Sequence, residues 1–166
     1  MIESMAAFIP LEPFRDFTGS LPPALQLIAI VGLGAIPFIE SYLGSVIGVI
    51  AGLSPFVVIP LAIIGNIASM LVAVYAAQGA RRKLKGERAE PQTARRKKLR
   101  ERFDKYGVAG ISLLGPFVLA SQITAVATVS FGASVRSVVM WQSISIVLWG
   151  VAYGLLALLG VDLLVS

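Results

Sequence analysis

Apolar residues fill this chain in long blocks, and polar residues fall between the blocks or interrupt them at isolated points. Ala24 to Leu53 is an almost unbroken apolar run, and the 23-residue stretches Pro55 to Ala77 and Val138 to Gly160 carry no charged side chain. Either stretch is long enough to span a bilayer, whose hydrocarbon core takes about 20 helical residues. A shorter apolar region precedes each of them, and each is broken first by proline and then by polar residues. The first break reads Pro37-Phe38-Ile39-Glu40-Ser41, the second Pro116-Phe117-Val118-Leu119-Ala120-Ser121-Gln122.

Length decides how such broken regions are read. Residues 24–36 make a helix of about 20 Å and residues 42–53 one of about 18 Å, at 1.5 Å per residue. Neither crosses a core of about 30 Å alone, and a straight helix through both would be about 45 Å long. A re-entrant hairpin that turns near mid-depth at residues 37–41 and leaves on the side it entered satisfies both lengths. The second hairpin runs from Gly107 to Ala133 and turns near Pro116 to Gln122. Backbone left unpaired at such turns requires burial in protein or a wet cavity.

The two halves echo each other. Pro-Phe recurs at an offset of 79, and Gly52-Leu53-Ser54 is matched by Gly132-Ala133-Ser134 at an offset of 80, each followed by a charge-free run. Short matches arise easily in apolar sequence, yet internal repeats are a signature of transporters. The expected fold is therefore an all-α integral membrane protein of two inverted repeats, each a re-entrant helical hairpin followed by a transmembrane helix. An N-terminal interfacial segment covers 1–20. Repeat one covers 21–80 (hairpin 24–53, span 55–77), a basic cytoplasmic loop 81–106, and repeat two 107–166 (hairpin 107–133, span 138–160). The rival arrangement makes each broken region one bent span, giving four spans.

Composition narrows the chemistry. The chain is 57% hydrophobic and only 14% charged, with a mean hydropathy of +0.85. It has neither cysteine nor histidine, which removes disulfides, thiol nucleophiles, the usual general base and the commonest zinc ligand. Its serines fit no nucleophile elbow. An enzyme, a metal site and a cofactor are accordingly not expected, and the acidic first residues, Glu3, Glu12 and Asp16, do not resemble a signal peptide.

Charge is concentrated in one place. Twelve of the 14 Lys and Arg lie between Arg81 and Lys105, where four acids leave a balance of +8, so the rest of the chain carries −3. Beside two long apolar runs this reads as a positive-inside cytoplasmic loop and not as a nucleic-acid site. Leu99, Phe103 and Tyr106 recur within it at helical spacing, as in a helix lying on anionic lipid or in a solvated charged helix.

Glu40 stands out against this background. A charged side chain at mid-membrane costs roughly 3 kcal/mol, which offsets about six leucines, and such residues mark functional sites. At the start of the second half-helix, the helix dipole favours its charged form and desolvation its neutral form. A carboxylate held between the two is a proton-coupling candidate, and one that caps the half-helix is the structural alternative. In the hairpin arrangement Glu40 and Ser41 are expected to meet Ser121 and Gln122 near the midplane. Arg136, just before the second span, is a candidate for an anionic substrate or a lipid phosphate, or an interfacial anchor. Asn66 with Ser69, and Gln142 with Ser145, lie at i, i+3 and either line a cavity or bond between helices. Gly44, Gly48 and Gly52, and Gly150 with Gly154, suit close helix packing.

Gly34-Ala35-Ile36-Pro37-Phe38-Ile39-Glu40-Ser41, Gly65-Asn66 and Phe103-Asp104-Lys105-Tyr106-Gly107 together resemble the small multidrug export protein family of prokaryotes, over residues 30 to 160. Glu40 after Ala-Ile-Pro and the Lys-Tyr-Gly are the most specific features. The resemblance implies a multi-pass transporter of the bacterial inner membrane, distantly similar to DedA/VTT membrane proteins, which include lipid flippases and scramblases. In those relatives embedded acidic and arginine residues are implicated in proton-linked transport, which implies that role for Glu40 and Arg136. The chain departs from the pattern in having Gly34 where a basic residue often stands, and Ser121-Gln122 where the second tip is often glycine-rich.

The expected function is thus a transporter with a small-molecule or lipid substrate, proton-coupled through Glu40. Substrate or proton residues are Glu40, Ser41, Ser121, Gln122, Arg136 and Asn66. A lipid flippase or scramblase is the first alternative, and a scaffold whose basic loop binds lipid or a partner is the second. Membrane lipids and a second copy of the chain are the expected partners, and nucleic acid is not. Because the chain has no cysteine, single cysteines at Ser4, Ser54, Ser134 and Ser166 report topology when labelled with an impermeant maleimide. The hairpin arrangement predicts outside, outside, inside, outside; four spans predict inside, outside, outside, inside.

Overall fold

The computed structural model describes residues 12–85, 107–114 and 119–165, and all of the regular structure among them is helical. Seven helices follow in order: α1 (Glu12–Ser20), α2 (Pro23–Ala35), α3 (Glu40–Ile50), α4 (Pro55–Lys85), α5 (Val108–Leu114), α6 (Ser121–Ser130) and α7 (Val135–Val165). The expected second tip at Pro116 and the Leu99, Phe103, Tyr106 stripe lie outside the described residues.

Proline and glycine set the boundaries. Pro22 is extended and Pro23 occupies the first turn of α2, where a missing N–H removes no helical bond. Pro37 then forces Ile36 out of the helical region, to φ −76° and ψ 126°, because its ring disfavours α geometry in the residue before it. The chain turns through Phe38 at φ +70° and Glu40 at φ +54°, and α3 begins at Glu40. α3 therefore starts inside the expected 37–41 tip, with Glu40 as its left-handed first residue and Ser41 following in its first turn. Likewise α6 begins at Ser121, which puts Ser121 and Gln122 in its first turn and not in a turn between helices. α4 continues through Lys85, so residues 81–85 of the expected basic loop are helical; they favour helix and include no breaker.

α3 and α6 end in the same way. Gly52 N–H donates to the Val49 carbonyl and Leu53 N–H to Gly48, while 80 residues on Gly132 N–H donates to Val129 and Ala133 N–H to Thr128. Both are Schellman caps, and both glycines take positive φ, +82° and +112°. Gly52 thus serves a turn and not the packing stripe expected of it. Ser54 and Ser134 then accept the first N–H bonds of α4 and α7 through their carbonyls. Each of these two helices has 31 residues.

The chain divides into two compact units, one running to Asn66 and resuming at Val147, the other Ile67–Ile146, so the boundary falls inside both long helices. In the first unit α2 and α3 form a helical hairpin against which α1 packs. Gly44 lies against Gly34 and Gly48 against Ile30, an opposite order that makes the pair antiparallel. The α2 and α4 backbones touch directly: a Cβ on Gly34 would strike the Ala62 carbonyl, and one on Gly65 the Val31 carbonyl. Gly150 and Gly154 of α7 receive Ile63 and Ile59 of α4, with ideal Cβ positions only 2.9 and 2.6 Å from those side chains. The core between these helices is Ile30, Leu33, Leu43, Ile47, Val58 and Ile59 with smaller neighbours. In the second unit α5 packs on α6.

Two helices are long and apolar enough to cross a membrane by length and composition, over Pro55–Arg81 and Val135–Gly160. Only 39% and 22% of their most apolar windows are buried, whereas a core helix of a soluble protein is mostly covered. Phe56, Val72, Ile64, Leu156 and Leu159 are exposed on their surfaces. The architecture is compatible with a membrane protein.

Overpacking a contact of this kind costs about 1–3 kcal/mol or more. Gly34→Ala and Gly65→Ala are expected to lower the unfolding midpoint in detergent sharply. Gly32→Ala, where a Cβ meets nothing within 4 Å, is expected to leave it unchanged or raise it.

Candidate functional site

Glu40 is 1% exposed and is the one buried ionisable residue among those described. Its position follows from the tip. With Ile36 extended and Phe38 left-handed, Glu40 N–H reaches the Ile36 carbonyl at 3.0 Å, and the next residues enter α3. A left-handed φ is strained for a non-glycine residue, by about 1–3 kcal/mol, and such strain collects at functional sites. The Tyr42 hydroxyl, one turn on from Phe38, donates to the Phe38 carbonyl at 2.9 Å and ties the tip to the helix it starts. Tyr42 packs on Tyr153 of α7 with ring centroids 5.5 Å apart, and Tyr153 on Trp149 at 6.0 Å.

The glycines of α7 set the polar side of α3. Ser41 lies beside Gly150 and Ser45 beside Gly154, with Cβ to Cβ separations of 3.0 and 3.2 Å for ideal glycine Cβ positions. Any side chain at those two glycines would displace the serines. Asn66, fully buried in α4, donates from Nδ2 to Ser41 Oγ at 3.4 Å. Three of the expected site residues, Glu40, Ser41 and Asn66, therefore belong to the first unit.

Ser121, Gln122 and Arg136 belong to the second unit. Gln122 donates from Nε2 to Ser69 Oγ at 2.8 Å, and the Ser121 hydroxyl donates to Gln122 Oε1 at 3.4 Å. Arg136 is exposed on the first turn of α7, outside these bonded groups, where the Ser134 hydroxyl accepts from Ser137 N–H at 3.2 Å. Asn66 and Ser69 share a helix face but serve different units, since the boundary passes between them. Arg81, at the far end of the apolar part of α4, donates to the Val129 carbonyl at 3.3 Å and so helps to cap α6.

Ser45 was not evident from sequence as a site residue. It is fully buried and its Oγ has no hydrogen-bond partner among the described residues. Its only sequence signal is its place one helical turn beyond Ser41. Tyr42 and Tyr153 gain significance only through the ring contact that brings them together. Among the described residues, no three His, Cys, Asp or Glu side chains cluster in a way that could hold a metal ion.

No protein-family model matches the chain, and no curated protein or solved structure matches it either.

Bond length separates the two polar pairs. Double-mutant cycles on the unfolding midpoint are expected to give Gln122→Leu with Ser69→Ala a coupling of about 1 kcal/mol, and Ser41→Ala with Asn66→Leu a smaller one.

Proposed function

We propose that this chain is an integral membrane transporter of the small multidrug export type, set in the bacterial cell membrane and proton-coupled through Glu40. It is a carrier and not an enzyme. The observation that carries the reading is the burial of one carboxylate, 1% exposed, at the first residue of a short apolar helix. An ionisable side chain so placed is costly and points to function.

Lengths support the hairpin part of the proposal. α2 has 13 residues and α3 has 11, which is about 20 and about 17 Å of helix. Both fall short of a core of about 30 Å, so the pair enters and leaves on one side. The identical caps at Gly52 and Gly132, and the 31-residue helices that follow each, support two repeats of hairpin plus span. Gly34 to Ser41 and Gly65-Asn66, two of the three segments that resemble the export family, include the glycines at which the α2 and α4 backbones meet, Gly34 against Ala62 and Gly65 against Val31, and the acid itself.

Proteoliposomes test the reading. With a pH gradient imposed, the protein is expected to drive flux of a lipophilic organic-cation dye. Glu40→Gln is expected to abolish that flux, and neutralising Arg95, Arg96, Lys97 and Lys98 is expected to leave it standing. Unchanged flux in Glu40→Gln rejects proton coupling. Movement of labelled phospholipid without a gradient identifies a scramblase, and loss of function only on neutralising the basic run identifies a scaffold.

A further inference from the structure

All four described helices of the second unit bring uncharged polar side chains to it: Ser69 from α4, Ser112 from α5, Ser121 and Gln122 from α6, and Gln142 and Ser145 from α7. All but Ser69 are buried. Gln122 is bonded to Ser69 and Ser121 to Gln122. Gln142 and Ser145 differ from these. Each is 1% exposed, and neither Gln142 Nε2 nor Ser145 Oγ has a hydrogen-bond partner among the described residues.

The two lie at i, i+3, so their side chains are neighbours on one face of α7. Val138 and Ile146, buried on the same helix to either side, show that apolar packing is available along it. A buried N–H without an acceptor is costly, and native structures rarely keep one without a partner or a role. An amide and a hydroxyl retained together, both left with donors to give, define a place for an acceptor oxygen. None of the described ionisable residues of this unit is buried, so none of them offers a desolvated counter-charge to an ion beside Gln142 and Ser145.

We propose that Gln142 and Ser145 form a binding site for an uncharged, oxygen-bearing ligand, a hydroxyl-, ester- or amide-containing solute that accepts hydrogen bonds from both. Glu40 plays no part in it, so the site stands or falls apart from proton coupling. The absence of native cysteine gives a direct test. Ser145→Cys, Gln142→Cys and the apolar controls Val138→Cys and Ile146→Cys are placed singly in the full chain. Each is reconstituted in phosphatidylcholine and phosphatidylglycerol vesicles and treated with the neutral reagent hydroxyethyl methanethiosulfonate.

Reaction at 142 and 145 is expected to run about tenfold or more faster than at both controls, since thiol modification follows access. Ser145→Cys changes a single atom and carries the test if Gln142→Cys does not fold. Equal rates at all positions, with Gln142→Leu raising the unfolding midpoint, mean a dry orphan and overturn the site. Equal rates with Gln142→Leu lowering the midpoint assign the acceptor to bound water alone and also overturn it.

Discussion

Pro37 imposes the constraint on which the first unit depends: a helix must stop and another must start inside apolar surroundings. Stopping it leaves carbonyls without donors, and restarting it leaves N–H groups without acceptors. The tip answers locally. Ile36 accepts from both Ile39 and Glu40 N–H, Phe38 turns left-handed, and the Tyr42 hydroxyl takes up the Phe38 carbonyl. Glu40 is thereby fixed at the first residue of α3, where a carboxylate meets the positive end of the helix dipole. Glycine then allows neighbouring helices to close over it. Gly34 and Gly65 bring α2 onto α4, and Gly150 and Gly154 bring α7 onto Ser41 and Ser45.

Much of this was legible in the sequence, for identifiable reasons. A charge-free run of helical length, a proline in an apolar stretch and a lone acid each carry a large local energy, and such terms are read without knowing the fold. The helical class and the two long apolar helices come from these, and the lone acid they single out is buried in the fold. The placement of residues was less legible. That α3 starts at Glu40 depends on a left-handed non-glycine residue, which propensity disfavours. That Gly52 turns while Gly44 and Gly48 pack depends on what faces each of them, and the spacing of all three is the same. Ser45 gains significance only through Gly154, more than 100 residues away in the chain.

The two halves of the chain share a frame and differ in chemistry. The caps that close α3 and α6 and the 31-residue helices that follow are matched at an offset of 80. Within the frame, Ser41 corresponds to Ser121, but Glu40 corresponds to Ala120, and Gly44 and Gly48 to Thr124 and Thr128. The first half thus has an acid and the glycines that allow tight packing around it. The second has hydroxyls, with Thr128 bonded back to the Thr124 carbonyl at 2.6 Å. The proposed proton site needs one acid and not two, which is the difference between Glu40 and Ala120.

The central claim is that the Glu40 carboxyl changes protonation in the working range of the protein while buried. Infrared difference spectroscopy of the protein in lipid, with glutamate isotopically labelled, measures this directly. A carboxyl band that appears on acidification, shifts with the label and is missing in Glu40→Gln is the predicted result. A spectrum identical in the native chain and in Glu40→Gln across the pH range would contradict the account and leave Glu40 a structural cap.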